Sequence, residues 1–500
     1  ATVLDYNLSE NKLLKSETKF NYAKYRDRAD FNFNELESIE NLAHQNKFID
    51  QKLSFTNRLK DGEAFLLIGR FMNEQTPKTY RTDKFTAVDL FPNSENVNKQ
   101  LQNSQNKMLF WGINAQWMKR KSKEDLLSFQ IGNTYRKDFL NSEFSLLNDD
   151  LLIDQPEAYQ NNLDYQVNDL YFKSQYRYVA GKMSFIGNLN FHQLFNSIKQ
   201  EGKDSKQQAF YIQPSIGVDW KINNRNKIIS SYSYTTNHSK ATDIFSNYFL
   251  TGHRSFNKGT GDFNQLNAST FFVNYQLGNW TDRLFINSTF IYNKQHDYFA
   301  NNLMLNPNYE VSEKFLVKNQ EIINIQSNAD YYLKAISSNV KLKFGYTKSN
   351  FKNIVNHEIR NIHNSSHNYG VEYRSMFPGF FNVHLGTNWT KHRIKSDFSN
   401  TYSNLISFAD FNLLLSSKLD IKLQAENYYF NELESNKSYY FLDFSLGYQL
   451  IENKLKLYLT GKNLLNTKSF RTLNHSEIGT STTAYKLLPR MSMLSLEYRF

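Results

Sequence analysis

The last eight residues of the chain, MLSLEYRF at positions 493–500, indicate how the rest of it folds. On a strand, Leu494, Leu496, Tyr498 and Phe500 share one face, while Met493, Ser495, Glu497 and Arg499 share the other. Such period-two alternation is typical of a strand with one apolar and one polar face. The same pattern recurs along the whole chain, with aromatic residues concentrated on the apolar side. We therefore predict an all-β protein.

The composition favours a transmembrane barrel over a soluble domain. The 500 residues include 41 Phe and 32 Tyr, yet the mean hydropathy is −0.63. An aromatic exterior around a polar, water-filled interior produces this combination. No run of about 18 apolar residues occurs, which excludes a membrane-spanning helix. No Pro-, Gly- or Ser-rich linker divides the chain, so residues 1–500 are predicted to form one antiparallel transmembrane β-barrel.

Charge and motifs exclude several other functions. The net charge is +11, but Lys and Arg are scattered along the chain, so we expect no nucleic-acid partner. Cysteine is absent, which removes disulfide and thiolate chemistry. We find no phosphate-binding glycine loop, no nucleophile elbow and no grouping of Ser, His and Asp. The chain is therefore predicted to be neither an enzyme nor a cofactor-binding protein.

The connections between strands fall into two kinds that alternate along the chain. Short turns lie near residues 10, 60, 121, 181, 224, 279, 337, 378, 418 and 453. Long polar stretches lie between them, at 136–168, 236–262, 294–322 and 464–488. Outer-membrane barrels have short periplasmic turns and long extracellular loops. Ten turns and a closing strand predict about 21 strands, within a range of about 20–22.

Histidines in the polar stretch 355–368 are the first candidate for a metal site. Imidazoles such as those of His357, His363 and His367 can bind Zn²⁺ or Cu²⁺. No regular spacing organises them, and a metal site needs defined ligand geometry. Solvated histidines of an outer loop are the favoured interpretation, and no metal is predicted.

Four carboxylates follow one another in the second candidate, at Asp149, Asp150, Asp154 and Glu157. Hard oxygen ligands suit Ca²⁺, but the spacing lacks the calcium-loop pattern. A solvated acidic loop is again the favoured interpretation.

Aromatic residues in the long stretches are the best candidates for ligand binding. They are Phe245, Tyr248, Phe249, Tyr298, Phe299 and Tyr309. Aromatic side chains offer large contact areas at low entropic cost, so they could stack on sugars, haem or a peptide. They could equally pack the loops together over the mouth of the barrel.

Near its C-terminus the sequence resembles the TonB-dependent outer-membrane receptors. The motif consists of Gly461, Asn463, Leu464 and Asn466, then Phe470, the pair Pro489 and Arg490, and Tyr498-x-Phe500. The stretch 245–254, with Gly259 after it, resembles a loop segment of the Bacteroidota branch of that family.

This resemblance implies a barrel of 22 strands in the Gram-negative outer membrane that imports a scarce nutrient, such as a siderophore, glycan or peptide. It implies an N-terminal plug domain and TonB as partners. The segment before Leu13 is too short for a plug. Residues 1–7 run toward the first short turn, and no strand of the opposite direction comes before them in this sequence. We therefore expect the plug and the first strand to be absent from this chain.

The resemblance also assigns roles to individual residues. Leu494, Leu496, Tyr498 and Phe500 would form the signal that the barrel-insertion machinery reads. Lumen-facing side chains would hold a plug, namely those of Gln213, Asp219, Asp443, Gln449, Glu497 and Arg499. Outer-membrane lipid, a surface lipoprotein or other outer-membrane complex subunits are further expected partners.

Two other functions remain open at this point. The barrel could be a non-transporting structural or assembly subunit of an outer-membrane complex. It could also be a diffusion pore without a plug, because a 22-strand barrel with an empty lumen is an open channel.

Overall fold

A computed structural model describes residues 2–33, 36–60, 62–92, 94–121, 125–433 and 437–499. Twenty-one of its strands pair in chain order into one antiparallel sheet. They are β1 (Thr2–Ser9), β2 (Lys12–Phe33), β3 (Leu36–Arg58), β4 (Glu63–Thr82), β5 (Lys99–Arg120), β6 (Leu126–Asn148), β8 (Asn161–Ala180), β9 (Met183–Gln200), β10 (Lys203–Lys221), β11 (Asn226–His238), β14 (Gln265–Leu277), β15 (Leu284–Leu305), β16 (Glu310–Leu333), β17 (Ser338–Val355), β18 (Glu358–Ser375), β19 (Phe381–Lys395), β20 (Ser399–Ser416), β21 (Leu419–Phe430), β22 (Ser438–Ile451), β23 (Leu455–Lys462) and β26 (Met491–Tyr498).

Smaller elements lie in the connections between these strands. They are β7 (Leu151–Asp154), β12 (Phe249–Gly252), β13 (Ser255–Lys258), β24 (Ser469–His475), β25 (Thr480–Lys486), the helix α1 (Ala241–Ile244) and the 3₁₀ turns Val88–Leu90, Glu157–Tyr159 and Lys334–Ile336. Within the part of the chain that the structure describes, no helix has the length and apolarity needed to cross a membrane.

The sheet curls into a barrel, which confirms the predicted fold class. The Thr86 hydroxyl donates a 3.1 Å hydrogen bond to the carbonyl oxygen of Asn308. Thr86 follows β4 and Asn308 precedes β16, and these strands lie far apart in the pairing order. Contact between them therefore requires a strongly curved sheet.

Apolar and aromatic side chains cover the outward face of this barrel. On β10 the exposed residues include Phe210, Ile212 and Ile216, while Tyr211, Gln213 and Ser215 on the other face are less exposed. Neighbouring strands align their outward rings into rows, with ring centroids 5.5 Å apart for Phe344 and Tyr369. An exterior of this kind is typical of barrels that contact lipid. It agrees with the predicted integral outer-membrane location.

The rim of short turns is confirmed at the predicted positions. Each of the ten predicted turns lies between two consecutive strands of the sheet. One example is the turn at 222–225, where the Asn223 side-chain oxygen accepts 2.9 Å hydrogen bonds from the backbone N–H groups of Arg225 and Asn226.

The opposite rim differs in part from the prediction. Residues 236–262 and 464–488 are mostly connections, as expected. In contrast, 136–168 and 294–322 consist largely of strand. β15 and β16 stay paired from Leu284–Tyr331 up to Leu305–Glu310, and only a tight turn joins them. The predicted outer loop 355–368 is also a hairpin of β17 and β18. The strands therefore continue into stretches that the sequence predicts to be loops.

The first and last strands of the sheet form its two edges. Among the described residues, β1 pairs with β2 alone and β26 with β23 alone. Because the strands alternate in direction and number twenty-one, both edges run the same way. Direct closure would pair them in parallel, whereas one intervening antiparallel strand would give the even number usual in bacterial barrels.

The most deeply buried side chains lie near the rim of long connections. Phe144, Leu250 and Phe256 are at most 1% exposed and form one cluster. Leu194 and Ile244 belong to a second cluster with a similar degree of burial. In both clusters, residues of the connection between β11 and β14 pack against residues of the strands. The main apolar core therefore lies where this connection fills the barrel.

Candidate functional site

The connection between β11 and β14, residues 239–264, folds back onto the strands and is here called the roof loop. It contains α1, β12 and β13. Ile244, Leu250 and Phe256 are fully buried against barrel residues. Burying one such side chain contributes about 1.5–3 kcal/mol. These three anchors hold the roof loop in one position.

Polar contacts fix one side of the roof loop to the connection that precedes β8. The Asn247 amide donates hydrogen bonds to the carbonyl oxygens of Gln160 at 2.7 Å and Glu157 at 3.1 Å. Its backbone N–H donates to the Asn161 side-chain oxygen at 3.1 Å. The Tyr248 N–H donates to the carbonyl oxygen of Ala158 at 2.9 Å.

Other contacts extend the roof loop to two further walls. The Leu250 N–H donates to Oε1 of Gln102 on β5 at 3.3 Å. β13 pairs in parallel with the start of β16, where Ser255 lies opposite Glu310. Since β5 and β16 are distant in the sheet, the roof loop spans the interior between them.

Gly259 closes the roof loop at a point where no side chain fits. Its N–H donates a 3.0 Å hydrogen bond to the carbonyl oxygen of Phe245. A Cβ at this position would lie 2.6 Å from that oxygen and 2.7 Å from the carbonyl oxygen of Asp243. Glycine is therefore required for this close backbone approach.

A cavity of about 760 Å³ lies between the roof loop and the strands. Phe245 and Phe249 line it, with their rings edge to face and centroids 6.3 Å apart. Leu140 and Leu303 add apolar surface on the strand side. The volume lies in the range of pockets that bind small molecules.

Charged side chains surround this apolar surface, and some neutralise each other. Arg136 donates to both carboxylate oxygens of Asp138, at 2.6 and 2.8 Å. The ammonium of Lys314 lies 2.7 Å from Oδ1 of Asp243. Such charge-assisted pairs hold both partners in place at the cavity.

Five further lining charges are not in ion pairs among the described residues: Lys107, Lys240, Lys258, Glu74 and Glu310. The ammonium of Lys258 lies 5.1 Å from the ring centroid of Tyr248. A cavity with apolar surface and charges of both signs can bind an organic ligand that carries polar or ionic groups.

Tyr248 supports the roof loop through its hydroxyl. The hydroxyl donates a 2.5 Å hydrogen bond to Oε1 of Glu313, and the ring lies 5.2 Å from that of Tyr159. Burial, then the bond to Glu313, raises the pKa of Tyr248 far above its usual value. The phenol therefore stays protonated and acts as a donor at neutral pH.

The six predicted aromatic residues have different surroundings. Phe245 and Phe249 line the cavity. Tyr248 and Tyr309 are partly buried and pack against the cluster that contains Leu250 and Phe256. The Tyr298 hydroxyl accepts a 2.7 Å hydrogen bond from the Lys352 N–H, which ties β15 to β17. Phe299 lies beside Lys314, with 5.6 Å from ammonium to ring centroid. Ligand contact by any of the six remains a prediction.

The histidines of the predicted outer loop do not converge. His357 is in a tight turn, whereas His363 and His367 lie four residues apart on β18, about 13 Å along the strand. His363 Nδ1 is 2.9 Å from the Asn350 side-chain oxygen, and the His367 ring lies tilted beside that of Tyr346, with centroids 4.9 Å apart. Among the described residues, no three metal-ligating side chains form a group.

Two of the four acidic residues have cationic neighbours. Asp149 lies 3.1 Å from the ammonium of Lys99, and Asp150 lies 2.5 Å from the guanidinium of Arg81. The hydrogen bond from Lys99 is the main cause that lowers the pKa of Asp149. Asp154 and Glu157 belong to β7 and the following 3₁₀ turn.

The C-terminal motif forms a turn that joins three strands. Asn463 and Asn466 both adopt positive φ, at 51° and 55°. The Asn463 N–H donates a 2.8 Å hydrogen bond to Asp443, and its amide donates at 2.9 Å to the carbonyl oxygen of Leu488. The Arg490 N–H, next to Pro489, donates to the Asn466 side chain at 3.3 Å.

Neighbouring positions of the motif show why it takes these residue types. A Cβ at Gly461 would collide with the Phe444 ring. The Leu464 N–H donates to the carbonyl oxygen of Leu442 at 2.9 Å. Leu494 and Leu496 are exposed on the outward face and Tyr498 lies with them, while Phe500 falls outside the described residues.

Sequence reasoning missed the charged residues of the cavity. Arg136, Asp138 and Leu140 share one face of β6, opposite the outward Phe129 and Ile131. This alternation of inward and outward positions could have identified all three as inward-facing residues of a long strand. No local feature of the sequence indicates that they line the same cavity as Lys314 and Glu310, because the two sets of residues are distant in sequence.

No protein-family model and no curated protein matches the chain. Solved structures similar to it include the alcaligin outer-membrane receptor FauA from Bordetella pertussis, with 11% identity over 85% of this chain and 64% of that one, at a TM-score of 0.43. The ferric citrate transporter FecA has 10% identity over 97% and 70%, at 0.48. The siderophore receptor PiuA from Acinetobacter baumannii has 8% identity over 98% and 82%, at 0.38. The chain thus spans less than two thirds of the first of these.

Proposed function

We propose that this chain is the membrane-embedded barrel of an outer-membrane receptor that takes up a scarce nutrient. The carrying observation is the cavity of about 760 Å³ beneath the roof loop, lined by Phe245 and Phe249. A ligand would bind here between the aromatic pair and the charged strand residues. The C-terminal resemblance supports a plug in the lumen and TonB as partners that would supply the energy for transport.

The substrate contacts follow from the chemistry of the cavity lining. Phe245 and Phe249 would contact an apolar or ring-containing part of the ligand, since aromatic surfaces favour such contacts. Lys240 and Lys258 would bind its anionic groups. The bidentate pair of Arg136 and Asp138 would keep its orientation and hydrogen-bond polar atoms at the strand side.

A blocked cavity tests the proposal. We would purify the wild type and Phe249→Arg from native outer membranes and identify the small molecules that each releases on denaturation. A compound released by the wild type and lost from the variant is expected. A deletion strain limited for single nutrients should regain growth with the wild type but not with this variant.

The Phe249→Arg experiment needs a control variant outside the cavity. Phe195→Arg cannot serve, because Phe195 faces lipid. We therefore choose Lys391→Met, on the exposed part of β19. This variant should behave like the wild type in both assays. Equal ligand release and equal growth for wild type and Phe249→Arg, at equal surface levels, would refute uptake through this cavity.

A second candidate function is a scaffold in an outer-membrane complex. The two edge strands favour it, since β1 and β26 each have one partner among the described residues. Unpaired backbone groups are costly in lipid, so a strand supplied by a partner protein would stabilise both edges. Purification at native expression separates the two functions: a stoichiometric partner protein without a released small molecule supports the scaffold.

A further inference from the structure

A second cavity, of about 430 Å³, lies where strands of the upper barrel change partners. β15 leaves β14 beyond Gln295, and β17 leaves β16 beyond Asn350. Farther along, β15 and β17 pair with each other in parallel, at Leu303 and Val355. The strands separate between these pairings, and the second cavity occupies the space that they leave. Its volume lies within the range of pockets that bind small molecules.

One buried side chain in the lining of the second cavity has no partner. Asn353 is 6% exposed, and neither the nitrogen nor the oxygen of its amide forms a hydrogen bond among the described residues. Buried polar atoms are normally satisfied by protein, by water or by a bound group. The amide presents a donor and an acceptor side by side in one plane. A ligand that satisfies Asn353 therefore carries an acceptor and a donor on one edge.

Aromatic rings supply the apolar part of the lining. Phe299 on β15 and Phe351 on β17 both line the second cavity, and both are partly exposed. At this height the Tyr298 hydroxyl links the two strands, since it accepts a 2.7 Å hydrogen bond from the Lys352 N–H. Aromatic faces stack on planar heterocycles. Together with the amide of Asn353 they favour a flat ring over a sugar, because the hydroxyl groups of a sugar do not lie in one plane with an amide.

The charges of the lining favour a ligand without anionic groups. Among the described residues that line the second cavity, Asp297 and Glu477 carry carboxylates and Lys352 carries the one positive charge. Oδ2 of Asp297 accepts a 3.0 Å hydrogen bond from the Asn267 amide, which leaves Oδ1 for a ligand hydroxyl. A phosphate group would meet charges of its own sign here, which weakens binding.

The hairpin of β24 and β25 brings Glu477 to the second cavity. Arg360 holds the tip of this hairpin, because its guanidinium donates a 2.8 Å hydrogen bond to the carbonyl oxygen of Glu477. The same guanidinium donates at 2.9 Å to Oδ2 of Asp397. Arg360 is 8% exposed, so these bonds are shielded from water. The hairpin tip therefore covers one side of the second cavity in a fixed position.

We propose that the second cavity binds an uncharged purine nucleoside with an amino group beside a ring nitrogen, as in adenosine. Asn353 pairs with that amino group and ring nitrogen, in the way that asparagine recognises N6 and N7 of adenine. The base lies against Phe299 and Phe351, and a ribose hydroxyl donates to Asp297. Binding here requires neither uptake nor a ligand beneath the roof loop, so the inference goes beyond the proposed function.

Equilibrium dialysis of radiolabelled adenosine against the detergent-purified full chain measures the site. We expect Asn353→Leu, which removes both amide atoms and keeps a similar shape, to weaken binding at least about tenfold. Asn388→Leu makes the same change on β19, outside the second cavity, and should leave the Kd unchanged. Phe249→Arg blocks the cavity beneath the roof loop and should bind adenosine like the wild type.

Ligand analogues test the pairing in the wild type, without any substitution. An adenosine analogue with carbon in place of N7 should bind at least about tenfold more weakly, because Asn353 loses one hydrogen bond of the pair. Adenosine monophosphate should also bind more weakly, and maltose should not displace adenosine. Equal affinity for adenosine and the carbon analogue, or displacement by maltose, overturns the proposal.

Folding is scored separately by heat-dependent migration on gels. If Asn353→Leu fails to fold, the comparison of adenosine with the carbon analogue decides. A folded wild type without measurable adenosine binding contradicts the second cavity alone, whereas the release and growth assays decide the receptor function. Equal loss of adenosine binding in Phe249→Arg and Asn353→Leu would place the nucleoside beneath the roof loop and also overturn the proposal.

Discussion

The side-chain amide of Asn247 donates a 2.7 Å hydrogen bond to the carbonyl oxygen of Gln160, which joins the roof loop to the segment before β8. A second bond from the same amide reaches Glu157 at 3.1 Å. One side chain thus satisfies two backbone carbonyl groups at the edge of the cavity. The position of Phe245 and Phe249, on either side of Asn247 in the sequence, depends on this junction.

Asn247→Ala should therefore loosen the roof loop without unfolding the barrel. Two donated hydrogen bonds are lost, each with a net value of about 1 kcal/mol. Amide exchange of residues 239–264, measured by mass spectrometry in detergent, should become about tenfold faster or more. Asn223→Ala removes similar local bonds in a turn at the other rim and should leave this exchange unchanged. If amide exchange of residues 239–264 is unchanged in Asn247→Ala, the prediction is wrong and the apolar anchors alone hold the roof loop in place.

Gly259→Ala should displace the roof loop from the cavity. The new Cβ would approach the carbonyl oxygens of Phe245 and Asp243 to 2.6 and 2.7 Å. Overpacking of this kind costs about 1–3 kcal/mol. We expect faster proteolysis within 239–264 in the folded barrel. Gly252→Ala is the matched control, because its nearest neighbour would be Ser255 at 3.9 Å. Equal protease resistance in both variants would contradict the close approach.

Acidification should also loosen the roof loop, through His253. Burial lowers the pKa of His253 below 6.5, a nearby Glu40 opposes this, and Arg254 reinforces it. Because the folded pKa is the lower one, stability from neutral His253 is complete above about pH 6.5 and is lost as the pH falls through the folded pKa. Intrinsic-rate-corrected exchange of 239–264 should increase between about pH 7.5 and about pH 5.5.

His253→Gln should reduce that pH dependence, since glutamine does not titrate. His357→Gln changes an exposed turn histidine and should preserve it. A pH response that is the same in all three proteins would assign the effect to another group.

The sequence predicted the membrane part of the barrel well, for a physical reason. Lipid on one side and a polar lumen on the other impose strict alternation, so the strand of Phe210 and Ile216 could be recognised and its ends located. Turn chemistry marked the short rim, as at Gly278, which adopts a φ of 72° beside the predicted turn. Both signals are local.

The same reasoning fails above the membrane. There both faces of a strand meet water or loops, so 294–322 loses its alternation and its sequence predicts a loop, although β15 and β16 remain paired to Leu305 and Glu310. The cavity is harder still to predict. Phe245 and Arg136 are far apart in sequence and are brought together only by the folded roof loop. Two of the six aromatic candidates line this cavity, and the charges beside them carried no sequence motif.

The final strand allows a test of the lipid face itself. Leu494 is 68% exposed and lies opposite Leu459, whereas Ser495 lies opposite Tyr458 on the other face. Arginine on the lipid side of a barrel costs about 2–4 kcal/mol near the membrane midplane, but the lumen accepts it. Leu494→Arg should therefore reduce the folded, heat-modifiable fraction in the outer membrane, while Ser495→Arg should assemble like the wild type. If the two variants assembled equally well, Leu494 would not face lipid and the assignment of the outward surface would be wrong.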